Sequence, residues 1–175
     1  MSTIAEELVT TQVYKVYIKA TPQAIWDAIT KPEWTARFGY GGEAQFDERP
    51  GGSYRHLASV EMKQAGKAGG FEVPDVVVDG EVIECDPPHR LVHTFRMLMD
   101  ARTAGEGFTQ LTYDIAEGRN GVSILTVTHD LERAPTLAAL VAGKFGGTAG
   151  GGWPWVLSGL KTLLETGESM GNPYL

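Results

Sequence analysis

Apolar residues recur at every second position through most of this chain, and at every third or fourth position near its two ends. Thr11–Ala20 alternates, with Tyr14, Val16 and Ile18 on one side and Lys15, Tyr17 and Lys19 on the other. That period of two predicts a half-buried strand. Thr21-Pro22 pairs an N-cap residue with a first-turn proline. The helix it opens carries Ile25, Trp26, Ala28 and Ile29, and Pro32 starts a second short helix, PEWTARFG. Glu43–Glu48 is the next strand candidate, followed by a turn at Arg49–Gly52. Ser53–Val60 reads as a strand with Tyr54, His56, Ala58 and Val60 on one face, and Lys63–Glu72 as a polar, glycine-containing loop.

Val76–Cys85 is β-branched and predicts a strand, and Asp86-Pro87-Pro88-His89 a tight connection, since neither proline can donate to a ladder. Arg90–Met99 follows as a strand with Leu91, His93, Phe95, Met97 and Met99 on one side. Asp100–Gly107 reads as a loop. Thr109–Ala116 alternates through Leu111, Tyr113 and Ile115, turns over Glu117–Gly121, and pairs with Val122–Asp130, where Leu125, Val127 and His129 share a face. Leu137–Val141 is a short helical piece. In Trp153–Thr166 the period changes to helical: Trp153, Val156, Leu157, Leu160 and Leu164 form one stripe, broadened by Leu163, with Pro154 in the first turn and Gly167 suited to a left-handed cap.

The order is one strand, two short helices, a run of further strands and a long terminal helix. Strands joined by hairpins make an antiparallel sheet, and one long helix to cover it makes the class α+β. A single domain is expected over residues 11–168, with a poorly ordered lead-in at 1–10 and a tail at 169–175.

Composition narrows the function classes. With 175 residues, 42% hydrophobic and 21% charged, the chain has the profile of a soluble globular domain with one substantial core. No apolar run approaches the roughly 20 residues that cross a bilayer, so no membrane partner is expected. MSTIAEELVTTQ lacks the basic and apolar regions of a secretory signal. Cys85 is the only cysteine, which fits a reducing cytoplasm. A net charge of −7 argues against nucleic acid, whose binders need a basic face.

Five phrases carry a family resemblance: VYIKATPQAIWDAIT, FDERPGGSYR, VVVDGEVIECDPPHRLVHTF, LTYDIAEGRNGVSILTVTHDLE and GGGWPWVLSGLKTLLETG. In this order and spacing they resemble the SRPBCC (START/Bet v 1-like) superfamily, and within it the branch named after the activator of Hsp90 ATPase, the AHSA1-like proteins. The resemblance implies a helix-grip fold, in which a curved antiparallel sheet of six to seven strands wraps the long C-terminal helix and leaves a pocket between them. The superfamily includes lipid carriers, aromatic cyclases, hormone receptors and co-chaperone domains. It offers no catalytic motif to carry across residue by residue. This chain departs from commoner members in its Gly143–Gly152 run, read as a loop at the pocket mouth, and in Phe38, where a tryptophan is frequent.

The inner face of such a sheet is where ligand chemistry would sit. Alternation points Tyr54, His56, His93, Phe95, Met97, Tyr113 and His129 inward, with Trp153 and Val156 facing them from the helix. Trp34, Phe38 and Tyr40 close one end. Most of these side chains are expected to be core. His93, His56 and His129 are the sharper candidates, because an imidazole can donate, accept or titrate near neutrality. No metal or other cofactor is expected: His89 and His93, four apart on a strand, lie some 13 Å from one another. Ser158-Gly159 is no nucleophile elbow, and nothing beside Cys85 would lower its pKa. The first expectation is therefore a binding module for a small hydrophobic or aromatic molecule. The alternatives are a co-chaperone-like interaction module with a chaperone partner, and a cyclase- or hydrolase-like enzyme using His93 or His56 with Tyr113. Nothing in the sequence excludes a homodimer.

Overall fold

The structure, a computed structural model, describes residues 10–144 and 151–174. The expected lead-in, apart from Thr10, and the middle of the Gly143–Gly152 run fall outside the described residues. The elements are β1 (Thr11–Ile18), α1 (Pro22–Thr30), α2 (Pro32–Thr35), β2 (Ala44–Phe46), β3 (Ser53–Leu57), α3 (Val60–Ala68), β4 (Val76–Asp86), β5 (Arg90–Met97), α4 (Ala101–Gly105), β6 (Thr109–Glu117), β7 (Ser123–Asp130), α5 (Pro135–Val141) and α6 (Gly152–Thr166).

Seven strands form one antiparallel sheet in the order β1-β7-β6-β5-β4-β3-β2. From β2 to β7 each strand pairs with its sequence neighbour. β1 alone crosses over, pairing Thr11 with Asp130 and Ile18 with Ser123. The α+β helix-grip architecture expected from the sequence is the one observed. Alternation explains which face is buried: Ile18, Leu91, His93, Leu111, Leu125, Val127 and His129 are at most 1% exposed, whereas Val13 and Tyr17 on the outer face of β1 are 61% and 57% exposed. α6 covers the inner face with Trp153, Leu157, Leu160 and Leu163. Its Lys161 ammonium reaches the Tyr17 carbonyl on the free edge of β1 at 2.7 Å.

The expected caps are observed. The Thr21 hydroxyl accepts from the Ala24 N–H (3.1 Å) at the start of α1, and Gly167 ends α6 in the left-handed region at φ 78°. Among the described residues, no helix is long and apolar enough to cross a membrane.

Three expectations are corrected. The strand expected over Ser53–Val60 stops at Leu57, so of its four face residues only Tyr54 and His56 lie in it. Ser59 instead caps a helix, its hydroxyl accepting from the Met62 N–H at 3.0 Å, and Val60 becomes an exposed first-turn residue. The Lys63–Glu72 stretch, expected as a loop, therefore begins inside α3. Gly66 lets that helix lie against Val73, whose Cγ2 a side chain at residue 66 would strike. Asp100–Gly107, also expected as a loop, holds α4, which Asp100 caps through the N–H groups of Arg102 and Thr103 at 2.9 and 3.0 Å. In both helices a capping side chain satisfies orphan N–H groups and overrides a loop-like composition.

Candidate interior site

The alternation Leu91-His93-Phe95 turns His93 off β5 into the protein, where it is fully buried. Aromatic rings surround it. Tyr54 of β3 lies 4.3 Å away between ring centroids, Phe46 of β2 5.3 Å and Tyr113 of β6 6.0 Å. Tyr113 in turn meets the edge of Trp153 from α6 at 6.2 Å. Tyr54 and Phe46 stack at 4.4 Å across the β2–β3 pair. The cluster therefore draws on four strands and the helix.

His93 has one nitrogen engaged and one not. Nδ1 lies 2.8 Å from the carbonyl oxygen of Thr94. A carbonyl only accepts, so Nδ1 carries the proton. Burial lowers the imidazole pKa to about 4, the Thr94 contact opposing it, so the ring is neutral at physiological pH. A neutral ring has one N–H, which leaves Nε2 as a bare acceptor. Nε2 is buried and has no hydrogen-bond partner, the one such side-chain atom among the described residues. An unsatisfied buried acceptor costs about 1–3 kcal/mol.

The backbone that sets this tautomer depends on a glycine. Gly80 of β4 sits against Thr94, and a Cβ at that position would overlap the Thr94 carbonyl oxygen. The neighbouring Glu81 N–H is taken by the Thr94 hydroxyl at 2.8 Å.

The two phenols beside His93 are neutral hydrogen-bonding groups. Burial, with Tyr113 as a secondary cause, raises the Tyr54 pKa well above its ordinary value, and burial alone raises that of Tyr113. Tyr113 and Phe46 are half-buried.

His129 contrasts with His93. The Trp153 indole N–H donates to His129 Nδ1 at 3.2 Å. Nδ1 is thus the acceptor, and Nε2 carries the proton of the neutral ring, donating to the Thr109 hydroxyl at 2.8 Å. That hydroxyl donates onward to the Phe95 carbonyl at 3.0 Å. Each polar atom in this relay is matched, and it ties α6 to β7, β6 and β5. Burial, reinforced by His93, lowers the His129 pKa to about 3.

The other sequence candidates spread outward. Phe95 packs edge-on to His129 at 5.1 Å. His56 lies at the far end of β3, its Nε2 donating to the Gly41 carbonyl at 2.9 Å, with burial lowering its pKa. Met97 is half-buried opposite Val78. Val156 rests on Gly39, and the Trp155 indole N–H donates to the Gly39 carbonyl at 2.9 Å. Tyr40 closes the same end by accepting the Gly152 N–H at 2.9 Å. The structure thus brings together Tyr54, His93, Phe95, Tyr113, His129 and Trp153, and places His56, Met97 and Val156 apart. It adds Phe46, Thr109, Gly80 and Thr94, which sequence reasoning did not single out.

Among the described residues, no group of three His, Cys, Asp or Glu side chains is placed to hold a metal ion. Burial and the nearby Glu48 and Asp86 raise the Cys85 pKa, away from a reactive thiolate. Two surface hollows, of about 570 and 500 Å³, share Glu72, Val73 and Asp75, and neither is lined by the aromatic cluster. Both are open to solvent and carry no buried unpartnered side-chain atom.

A family described as "Activator of Hsp90 ATPase homolog 1-like protein" matches residues 19–165. No curated protein matches the chain. Among solved structures, CalU16 from Micromonospora echinospora is similar with a TM-score of 0.63 at 17% identity, over 93% of this chain and 69% of that one. The Aha1 dimer from Colwellia psychrerythraea gives 0.61 at 17% identity, over 91% and 98%. An HSP90 activator from Plasmodium falciparum gives 0.58 at 15% identity, over 89% and 96%. At these identities the likeness is one of fold.

Proposed function

The chain belongs to the activator of Hsp90 ATPase homolog 1-like family, and from that premise we propose that it binds a small hydrophobic or aromatic molecule between the sheet and α6, against Tyr54, His93 and Tyr113. The observation that carries this reading is His93 Nε2, buried and without a partner at the centre of an aromatic cluster. Proteins match nearly all their buried polar atoms, and each exception calls for a physical explanation, of which a missing binding partner is one. Apolar surface supplies the affinity, at about 25 cal/mol per Å² buried before the costs of association. The polar atoms fix the orientation.

Native mass spectrometry of freshly purified protein tests the reading. A co-purified small molecule, released on unfolding, is the expected result. Ligand-free protein whose tryptophan emission also fails to respond to a panel of polycyclic aromatics would overturn it. The same spectrum reads whether the chain is a homodimer.

A second reading, an interaction module of the co-chaperone type, draws support from the family description and from the exposed Val60 and Phe71 around α3. It predicts that immobilised protein retains an Hsp90-type chaperone from lysate and that charged substitutions at Val60 and Phe71 abolish the retention. If the chaperone is retained equally by the charged variants, the α3 face is not its docking surface.

A further inference from the structure

We infer that the molecule held by this interior site carries a neutral hydroxyl, phenolic or enolic, which donates its hydrogen to His93 Nε2. This rests on the binding function proposed above and specifies its ligand class. His93 Nδ1–H is committed to the Thr94 carbonyl at 2.8 Å. Nε2 can therefore only accept, and it has no partner. The ring cannot escape by charging or turning. Burial holds it neutral, with a pKa of about 4. Three aromatic rings pack on it, with centroids at 4.3, 5.3 and 6.0 Å.

Three classes of polar ligand group can then be compared. A ketone or ether oxygen only accepts, so placed here it leaves Nε2 unmatched and sets two lone pairs against each other. A carboxylate has the same fault and adds a charge, which the aromatic rings packed on His93 cannot neutralise. A hydroxyl satisfies the site, because its hydrogen goes to Nε2 while its oxygen can accept from a phenol. Tyr54 and Tyr113 are suited to give that bond, since burial keeps both protonated. The apolar remainder of the ligand meets Phe46, Tyr113 and Trp153, whose aromatic surfaces favour a flat ring system.

The discrimination is steep in principle. A site built to bond a hydroxyl rejects the analogue lacking it, because its own buried group stays unpaired. The probes are β-naphthol, its methyl ether and naphthalene, titrated into the full chain and followed by Trp emission and calorimetry. β-Naphthol is expected to bind on the order of tenfold or more tightly than either analogue, and the preference is expected to vanish in His93→Leu. A second measurement keeps the test independent of that variant. In wild-type protein the imidazole ¹⁵N resonance of His93 Nε2 is expected to move on adding β-naphthol and to stay in place with the methyl ether. Equal binding of all three probes with an unmoved Nε2 resonance overturns the hydroxyl inference and leaves the binding site standing. If none of the three binds, the inference falls, and the proposed function falls with it when no small molecule co-purifies.

Discussion

His93 and His129 are equally buried, yet replacing them one at a time with leucine will cost the fold very different amounts. Both are 0% exposed. His129→Leu removes the acceptor of the Trp153 indole N–H and the donor to Thr109. The indole N–H is then buried and unsatisfied, at about 1–3 kcal/mol, and the Thr109 hydroxyl loses one of its two partners, at about 1 kcal/mol. The sum is about 2–4 kcal/mol of destabilisation. His93→Leu has terms of both signs. It removes the unmatched Nε2, a gain of about 1–3 kcal/mol, and loses the bond to the Thr94 carbonyl along with some shape fit, at about 1–2 kcal/mol. The net is near zero. The two variants therefore differ by roughly 2–4 kcal/mol, on the order of 10 °C in melting temperature for a chain of this size. Equilibrium urea unfolding followed by circular dichroism reads the difference directly, provided the slopes agree. If both variants lose the same stability within about 0.5 kcal/mol, His93 Nε2 is satisfied in solution and the reasoning built on it fails.

Stability will fall as pH drops from about 6.5 towards 4. His93 and His129 take up protons in the fold only below about 4 and about 3, against an ordinary value near 6.5, so in between the unfolded chain holds the extra protons. The slope is up to about 1.4 kcal/mol per pH unit for each histidine, and urea titrations of the double leucine variant are expected to be flatter in that window. Gly80→Ala pushes the Thr94 carbonyl aside, with an expected loss of about 1–3 kcal/mol and a changed His93 imidazole ¹⁵N spectrum. An unaltered spectrum would show that the carbonyl position does not depend on Gly80. Glu106→Ala is expected to cost about 1 kcal/mol in urea unfolding, because that carboxylate accepts the Thr136 and Leu137 N–H groups at 2.8 and 3.0 Å and caps α5 from outside the helix.

The sheet was legible because its signal is side-chain alternation. Thr109–Ala116 and Val122–Asp130 show the period of two and form β6 and β7, and Leu91-His93-Phe95 placed His93 inward. β2 has only three residues, too few for a period to show, so Phe46 was not found. α3 and α4 were hidden by polar, glycine-containing composition, although Ser59 and Asp100 are capping residues in plain view. What no pattern could reveal is the tautomer of His93. It is set by a backbone carbonyl, and the room for that carbonyl comes from a strand glycine. The relay through His129 was equally out of reach, because Trp153 and Thr109 are joined only once α6 crosses the sheet.

The pairing of β1 with β7 bears on how the chain is made as well as how it stands. Every other strand meets a sequence neighbour, but Ile18 waits for Ser123 and Thr11 for Asp130, separations of 123 − 18 = 105 and 130 − 11 = 119 residues. At roughly 5–20 residues per second of synthesis, the first strand leaves the ribosome some 5–24 s before its partner exists. During that interval an alternating segment with an open edge is free to pair with the wrong chain. The alternating lysines, Lys15 and Lys19, and later the Lys161 ammonium on the Tyr17 carbonyl, then act as successive guards: charge repulsion on the nascent chain, and a side-chain plug once the last helix arrives.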